Sequence, residues 1–574
     1  MNSRLFLNII LAVLFSCTIR GYAQEKVYVT TDKECYLAGE NLWCSVFCID
    51  AATGKYSSLS SVAYLDFFSG EKLETTIKVA LVKGRGCGRL QIPFSFATGN
   101  YSVVAYTRKD GGDSQGEFNG KIVTVFNTLT SERVNGGVEM VGADEDIKGT
   151  GKAIPFTESR VAIEAENVKG ESFPVKIANL GNEPMQVSVS IYHLDSLVKS
   201  IGVRGYDNTS LLERSGQFAA TADEEYAGEV IRARLFKDGK PATGDDAAGV
   251  YVYMSAMGNT DDVYMANADS LGYLMYYTNN ISGKRDLLFD VVADVTQTSK
   301  FKGDSVSSSV YKVELVKKEY VHRPAEIPVL KISQALKPHL ERRSMMMKVE
   351  RGFEADTLYN LMRMRSNDFF GAVTPIVYNL DDYTRFPVMR EVVFEYVENL
   401  SIRKVDGKYG FVVQWNNTPV SYLRSRRNSL VMLDGVPVRD HSLIINMDPL
   451  LVKQIIIYPR RYVLNHFVFD GIVKFNTYKG DMGGLELWKN TTLVNYDAVQ
   501  YPAAFLGDRI KDNKGYPKYN STIYWNPLLD VAAGEEFAFE CVKPQYGGEF
   551  KIVVEGMDSS GNAIYMEKKI FVGK

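Results

Sequence analysis

The sequence predicts a mainly β chain, with β-sandwiches in tandem and one small α+β module late in the chain. Two observations predict it. From residue 25 to 320 short apolar runs rich in Val, Ile, Tyr and Phe are broken by Gly, Asn and Asp, without long helical periodicity. Between 430 and 477 three apolar strands follow one another with turn signals between them, after a stretch of different composition. The 574 residues, 45% of them apolar, suffice for several cores, a length that corresponds to roughly three to five domains.

Residues 1–23 read as a signal peptide: Arg4, the apolar run Leu5 to Phe15, then Gly21-Tyr22-Ala23 before Gln24. A rival reading takes Cys17 as a lipidated cysteine, against which stands bulky Phe15 where a small residue is usual. No later stretch reaches the 18 or more apolar residues of a spanning helix. The expected location is exported, in the periplasm or associated with the outer membrane of a Gram-negative envelope.

The first sandwich is expected over 24–130. It opens with Thr31-Asp32-Lys33, Tyr36 and Gly39-Glu40, and closes with Pro93, Gly99, Tyr101 and Tyr106. Tyr36 pins the strand, Gly39 supplies a turn with positive φ, and Gly99-Asn100 reads as a hairpin. This pattern, over residues 26 to about 127, is similar to the MG2 domain of the alpha-2-macroglobulin superfamily. A second sandwich is expected over 150–225, where Ser159 to Glu164 and Val187 to Tyr192 alternate with period two. A third, over 226–320, resembles carboxypeptidase regulatory-like and macroglobulin domains through Asp238-Gly239-Lys240-Pro241 and the Asp269 to Gly272 turn. Pro324 and Pro328 open a connector over 324–384, with a short helix interrupted at Pro338.

The module at 385–480 contains an apolar strand ending in Asp434-Gly435-Val436-Pro437, the strand Val452 to Tyr458, and Gly471 opening a strand to Thr477. In that order the three pieces resemble the plug domain of TonB-dependent outer-membrane receptors. Such a plug fills a 22-stranded barrel, which needs more than ~200 residues of strand; only 94 residues follow Gly480. The expectation is therefore a plug-like domain without its barrel. Residues 485–574 read as a C-terminal Ig-like sandwich with a hairpin at Asp558 to Gly561.

Reactive chemistry is sparse. The string Gly86-Cys87-Gly88-Arg89-Leu90-Gln91 departs from a macroglobulin thioester at Arg89 and in the spacing of Gln91. No two of His193, His322, His339, His441 and His466 share the i, i+4 spacing of a zinc hydrolase. His193, Asp195 and Ser196 have the residue types of a triad, but triad members meet through the fold and not by adjacency, so a strand-end turn is the better reading. The net charge of −3 offers no footprint for nucleic acid, and the basic runs Arg424 to Arg427 and Arg460-Arg461 read as solvated loops. Cys44 and Cys48 share a strand face about 13 Å apart and cannot bridge; a bridge from Cys35 or Cys44 to Cys87 stays open. The expectation is a non-enzymatic protein without cofactor or metal, a scaffold whose plug-like domain binds an outer-membrane barrel protein or an associated envelope complex. Asp434, Gly435, Val436, Pro437, Tyr458, Tyr462 and Gly471 are the expected partner contacts. The alternative is a thioester-less macroglobulin-type protein that binds or inhibits proteases, with the connector as bait.

Overall fold

The computed structural model describes residues 25–573 except 109–116, 119, 130–137, 143–159, 167–169, 202–224, 259–261, 293–308, 317–322, 325, 353–369, 371–372, 406–407, 415–428, 466 and 502–516. The expected signal segment with Cys17, the run Arg424 to Arg427, His322 and His466 lie outside these residues. Two compact units form, one from 1–226, 320–362 and 500–574, the other from 227–319 and 363–499.

In the first unit a three-stranded sheet (Glu25–Thr31, Asn41–Asp50, Arg85–Gln91) accompanies a five-stranded one (Cys35–Leu37, Lys121–Phe126, Gly99–Tyr106, Val62–Ser69, Lys72–Ala80). Their shared core includes Tyr28, Phe47, Phe67, Tyr101 and Val103. Gly99 and Asn100 form no hairpin: they open a strand, where Asn100 pairs with Thr124 and donates to the Pro328 carbonyl at 2.7 Å.

The segments expected as two sandwiches, 150–225 and 485–574, form one between them. Met185–His193 lies between Thr522–Val531 and Gly548–Asp558, with Ala563–Val572 at the edge. Ser172–Asn179 likewise pairs with Glu536–Val542. One core holds residues from both, including Val187, Ile191, Phe550 and Ile564. The boundary expected between them fails because neither segment has enough strands to cover its own apolar face. The Asp558 turn stands as expected: its side chain accepts from the Ser560 and Asn562 amides, and Gly561 has φ +80°.

The connector also differs. Residues 337–352 are one helix, Lys337–Gly352. Pro338 falls in its first turn, where a missing N–H costs nothing. Leu336 and Met347 are buried in a cluster that joins Cys35 and Phe126 of the first sandwich to Tyr192 and Tyr565 of the composite one. The helix is thus a wedge between two sandwiches rather than a loose link.

In the second unit the third sandwich is completed from beyond the expected boundary at 320, because Thr491–Asp497 pairs with Lys284–Val292. The α+β module, expected as plug-like, is therefore an insertion within that sandwich. Its five-stranded sheet runs Ile376–Asn379, Val452–Leu464, Phe467–Thr477, Leu430–Leu433, Val436–Pro437, so it begins before the expected residue 385. Alternation along the strands sends Val431, Leu433, Ile455, Ile457, Val473 and Phe475 into the module's own core. Leu430, Met432, Tyr458 and Ile472 enter a second core together with Tyr253, Val263 and Val292 of the carrier sandwich. A sheet buried on both faces cannot leave its carrier without exposing one of them.

None of the five described cysteines forms a disulfide, and all are buried. Cys44 pairs with Gly88 and Ser45 with Cys87, so Cys44 and Cys87 point to opposite sheet faces. Cys35 sits in a different cluster from Cys44.

Candidate functional site

The N-terminal motif residues meet again around a cavity of 320 Å³ in the first unit. Its wall combines Asp32, Lys33, Glu40 and Trp43 from the first sandwich with His193, Asp195, Tyr519, Ser521 and Tyr546 from the composite one, and Arg343 and Glu350 from the wedge helix. Gly39 turns the chain at φ +96°, and a Cβ there would meet the Phe94 ring at 2.6 Å, so only glycine brings Glu40 into this position.

Arg343 organises the site. It donates to Glu40 through Nε at 3.1 Å and Nη2 at 3.0 Å, to Asp195 through Nη1 at 3.2 Å, and to the Cys35 carbonyl at 2.8 Å. Glu40 also holds Lys33 at 3.1 Å, and Lys33 donates to the Ser521 hydroxyl at 2.8 Å. Burial alone would raise the Glu40 carboxyl; the Arg343 and Lys33 charges overcome it and hold it at about 2. Asp32 accepts from the Tyr36 hydroxyl at 2.7 Å, the Trp43 amide at 3.0 Å and the Thr522 hydroxyl at 2.5 Å. The motif thus ties two sandwiches together.

The triad-like group takes the other role expected of it. Asp195 caps the helix Ser196–Ser200 by accepting from the Val198 amide at 2.9 Å. His193 packs its ring against Tyr546 and Phe550, and burial lowers its pKa to about 4. A neutral imidazole facing aromatic rings, with no nucleophile bonded to it, is a packing group.

Glu350 differs from its neighbours. Burial, then the Glu40 charge, push its carboxyl up to about 8, although Lys33 and the accepted amides of Tyr519 and Asn520 act the other way. Sequence reasoning missed Arg343 and Glu350. Their signal was the spacing of seven residues, two helical turns, that puts opposite charges on the same face as Leu336 and Met347.

No family model matches the chain, and no curated protein matches it. Among solved structures it is similar to trypsin-activated alpha-2-macroglobulin from Escherichia coli, at 8% identity and TM-score 0.24 over 96% of this chain and 42% of that one. The elastase-activated form from Escherichia coli aligns at 10% identity and TM-score 0.24, covering 96% and 44%. Salmonella alpha-2-macroglobulin reacted with methylamine aligns at 8% and 0.23, covering 96% and 39%. These values identify no family. The chain spans about two fifths of the length of the structures it matches.

The expected partner contacts lie in the second unit and serve its fold. Asp434 and Gly435 have φ +46° and +81°, the two positive values of a type I′ hairpin loop. The Asp434 carboxylate is fully buried and accepts from the Thr477 amide at 2.7 Å, the Thr477 hydroxyl at 2.6 Å and the Met482 amide at 2.8 Å. Val436, Pro437, Tyr458 and Gly471 are buried, and a Cβ on Gly471 would meet Val413 at 2.5 Å. Tyr462 is half-buried, its ring edge-on to Phe370 at 5.4 Å. The module's exposed apolar side chains include Phe394 at 86%, Leu450 at 61%, Val463 at 59% and Val377 at 45%. Among the described residues no group of His, Cys, Asp and Glu could hold a metal, and no helix is long and apolar enough to cross a membrane.

Proposed function

We propose that the chain is an exported, non-enzymatic scaffold of a Gram-negative envelope whose plug-like module binds an outer-membrane barrel protein or its associated complex. The observation that carries this reading is the module's insertion into the third sandwich with a shared core, while Phe394, Leu450 and Val377 remain exposed. Phe394, 86% exposed on a short helix, is free to meet a partner without loss to the core. The partner is then met by these side chains, with the Asp434 hairpin setting the sheet behind them. Entry of the module into a barrel lumen, as a receptor plug does, is not part of the reading, because it would uncover Ile472 and Met432.

Affinity capture with the full chain from envelope extracts tests it. Wild type should enrich a barrel protein that the double variant Phe394→Asp, Val377→Asp loses; equal recovery by both would end the proposal. For the protease-binding alternative, with the connector at 324–370 as bait, residues 330–352 are strand and helix anchored by Arg343, and residues 353–369 lie outside the described ones.

A further inference from the structure

We propose that the cavity of the first unit binds a primary alkylammonium group, with the Glu350 carboxylate as its counter-ion. This site is separate from the module and does not depend on the function proposed above.

The inference starts from charge pairing around a void. Lys33 and Arg343 are taken by Glu40 and Asp195, and Lys199 by Glu549 at 2.8 Å. Asp32 is satisfied by three donors. Glu350 alone among these carboxylates has no ion pair; the backbone amides of Tyr519 and Asn520 favour its charged form. Next to it lies a volume of 320 Å³, at the small end of the range for small-molecule sites. A carboxyl in that position either keeps a proton or takes a cation from solution.

The surroundings select the kind of cation. Tyr519, Tyr546 and Met346 offer apolar wall for a short alkyl stem. The Tyr546 hydroxyl is committed to the Asn520 carbonyl at 2.7 Å, and one face of Trp43 carries Arg89 at 5.6 Å. There is room for a compact ammonium head, which a single carboxylate meets as a point charge, whereas a planar guanidinium gains most from a bidentate partner. The exchange balances as one ammonium bound and one proton released: protonated Glu350 gives its proton to solvent and the resulting carboxylate pairs with the incoming head. Glu40 and Lys33 from the first sandwich and Tyr546 from the composite one are the titratable groups that interact with it, and Arg343, His193, His339 and Tyr519 line the same cavity. Arg342 and Arg351 stand exposed at the mouth and would favour a carboxylate there, which supplies the contrary outcome.

Calorimetric titration of the full chain near pH 7, in two buffers of different ionisation enthalpy, tests the proposal. The probes are Nα-acetyl-lysine methylamide, which carries a side-chain amine, glycinamide, which carries a terminal one, and acetate. Saturable binding of either amine with release of approaching one proton is expected, and the better amine names the source, side chain or chain terminus. Glu350→Gln, an isostere of the protonated acid, should keep the unfolding midpoint at pH 5 and weaken the amine at least tenfold, about 1.4 kcal/mol or more. Three results would overturn the proposal: binding unchanged in Glu350→Gln, no proton release, or acetate bound in preference to both amines.

Discussion

Two seams hold the chain's parts together, and they are made differently. Between the first and composite sandwiches an apolar cluster that includes Phe126, Tyr192 and Tyr565 is accompanied by many hydrogen-bonded and charged contacts: Tyr28 donates to Glu555 at 3.0 Å, Lys121 reaches Glu555 at 3.1 Å, Thr30 meets Ser188 at 2.8 Å, and Arg343 spans Glu40 and Asp195. Between the third sandwich and the inserted module the contact is largely an apolar core, with buried charges beside it: Asp290 accepts from Arg439 at 3.1 and 3.0 Å and from Trp488 at 2.9 Å, and Lys474 is buried opposite Met432. Ionic seams contribute little net stability but lose much when one partner is removed. Apolar seams lose in proportion to volume. The first seam should therefore respond to pH and to single charge deletions, the second to truncation.

The sharpest way to break that contrast is Arg343→Met, which leaves Asp195 without its ion pair and Glu40 with Lys33 alone. It should cost about 3–5 kcal/mol in urea unfolding of the first unit; a loss under about 1 kcal/mol would mean the seam is not ionic in substance. Phe469→Ala in the apolar seam should cost about 3 kcal/mol, with the same loss at pH 5 and pH 8. Asp290→Asn weakens the charge-assisted bonds of the same seam and should cost about 1–2 kcal/mol.

The pH response sharpens the contrast further. Glu40, held at about 2, contributes stability above its ordinary value of 4.5 that is lost as pH falls toward 2. His193, lowered to about 4, contributes stability above 6.5 that is lost as pH falls to 4. Glu350, raised to about 8, works in the opposite sense: its contribution is full below 4.5 and lost as pH rises toward 8. Thermal melts of Glu350→Gln should match wild type at pH 5 and lie above it at pH 8. The reverse order at pH 8 would show that Glu350 is ionised in the folded protein. The smallest effect is expected from Phe394→Ser, under about 0.5 kcal/mol, since the side chain is exposed.

What was legible in the sequence follows from the range of the interactions. Strands such as Val187 to Tyr192 show themselves by period-two alternation, and the Asp434-Gly435 loop by one of the few residue pairs that suit two positive φ values. The composite sandwich was illegible because Met185 pairs with Asp558, and nothing local records a pairing at that separation. The wedge helix was hidden twice, by Pro338 and by charges on its inward face. The expected contact residues were drawn from a family pattern, and the residues such a pattern repeats, Asp434, Gly435 and Gly471, are those the backbone geometry requires. Contact residues such as Phe394 carry no backbone constraint, so no spacing announces them.

Site-specific photo-cross-linking in intact envelopes tests the central claim most directly, with the cross-linker placed at Phe394 in one variant and at Tyr458 in another. An adduct with a barrel protein from position 394 and none from position 458 is the predicted result. An adduct from position 458 would mean that the module parts from its carrier to reach its partner, and silence at both positions would contradict the binding role.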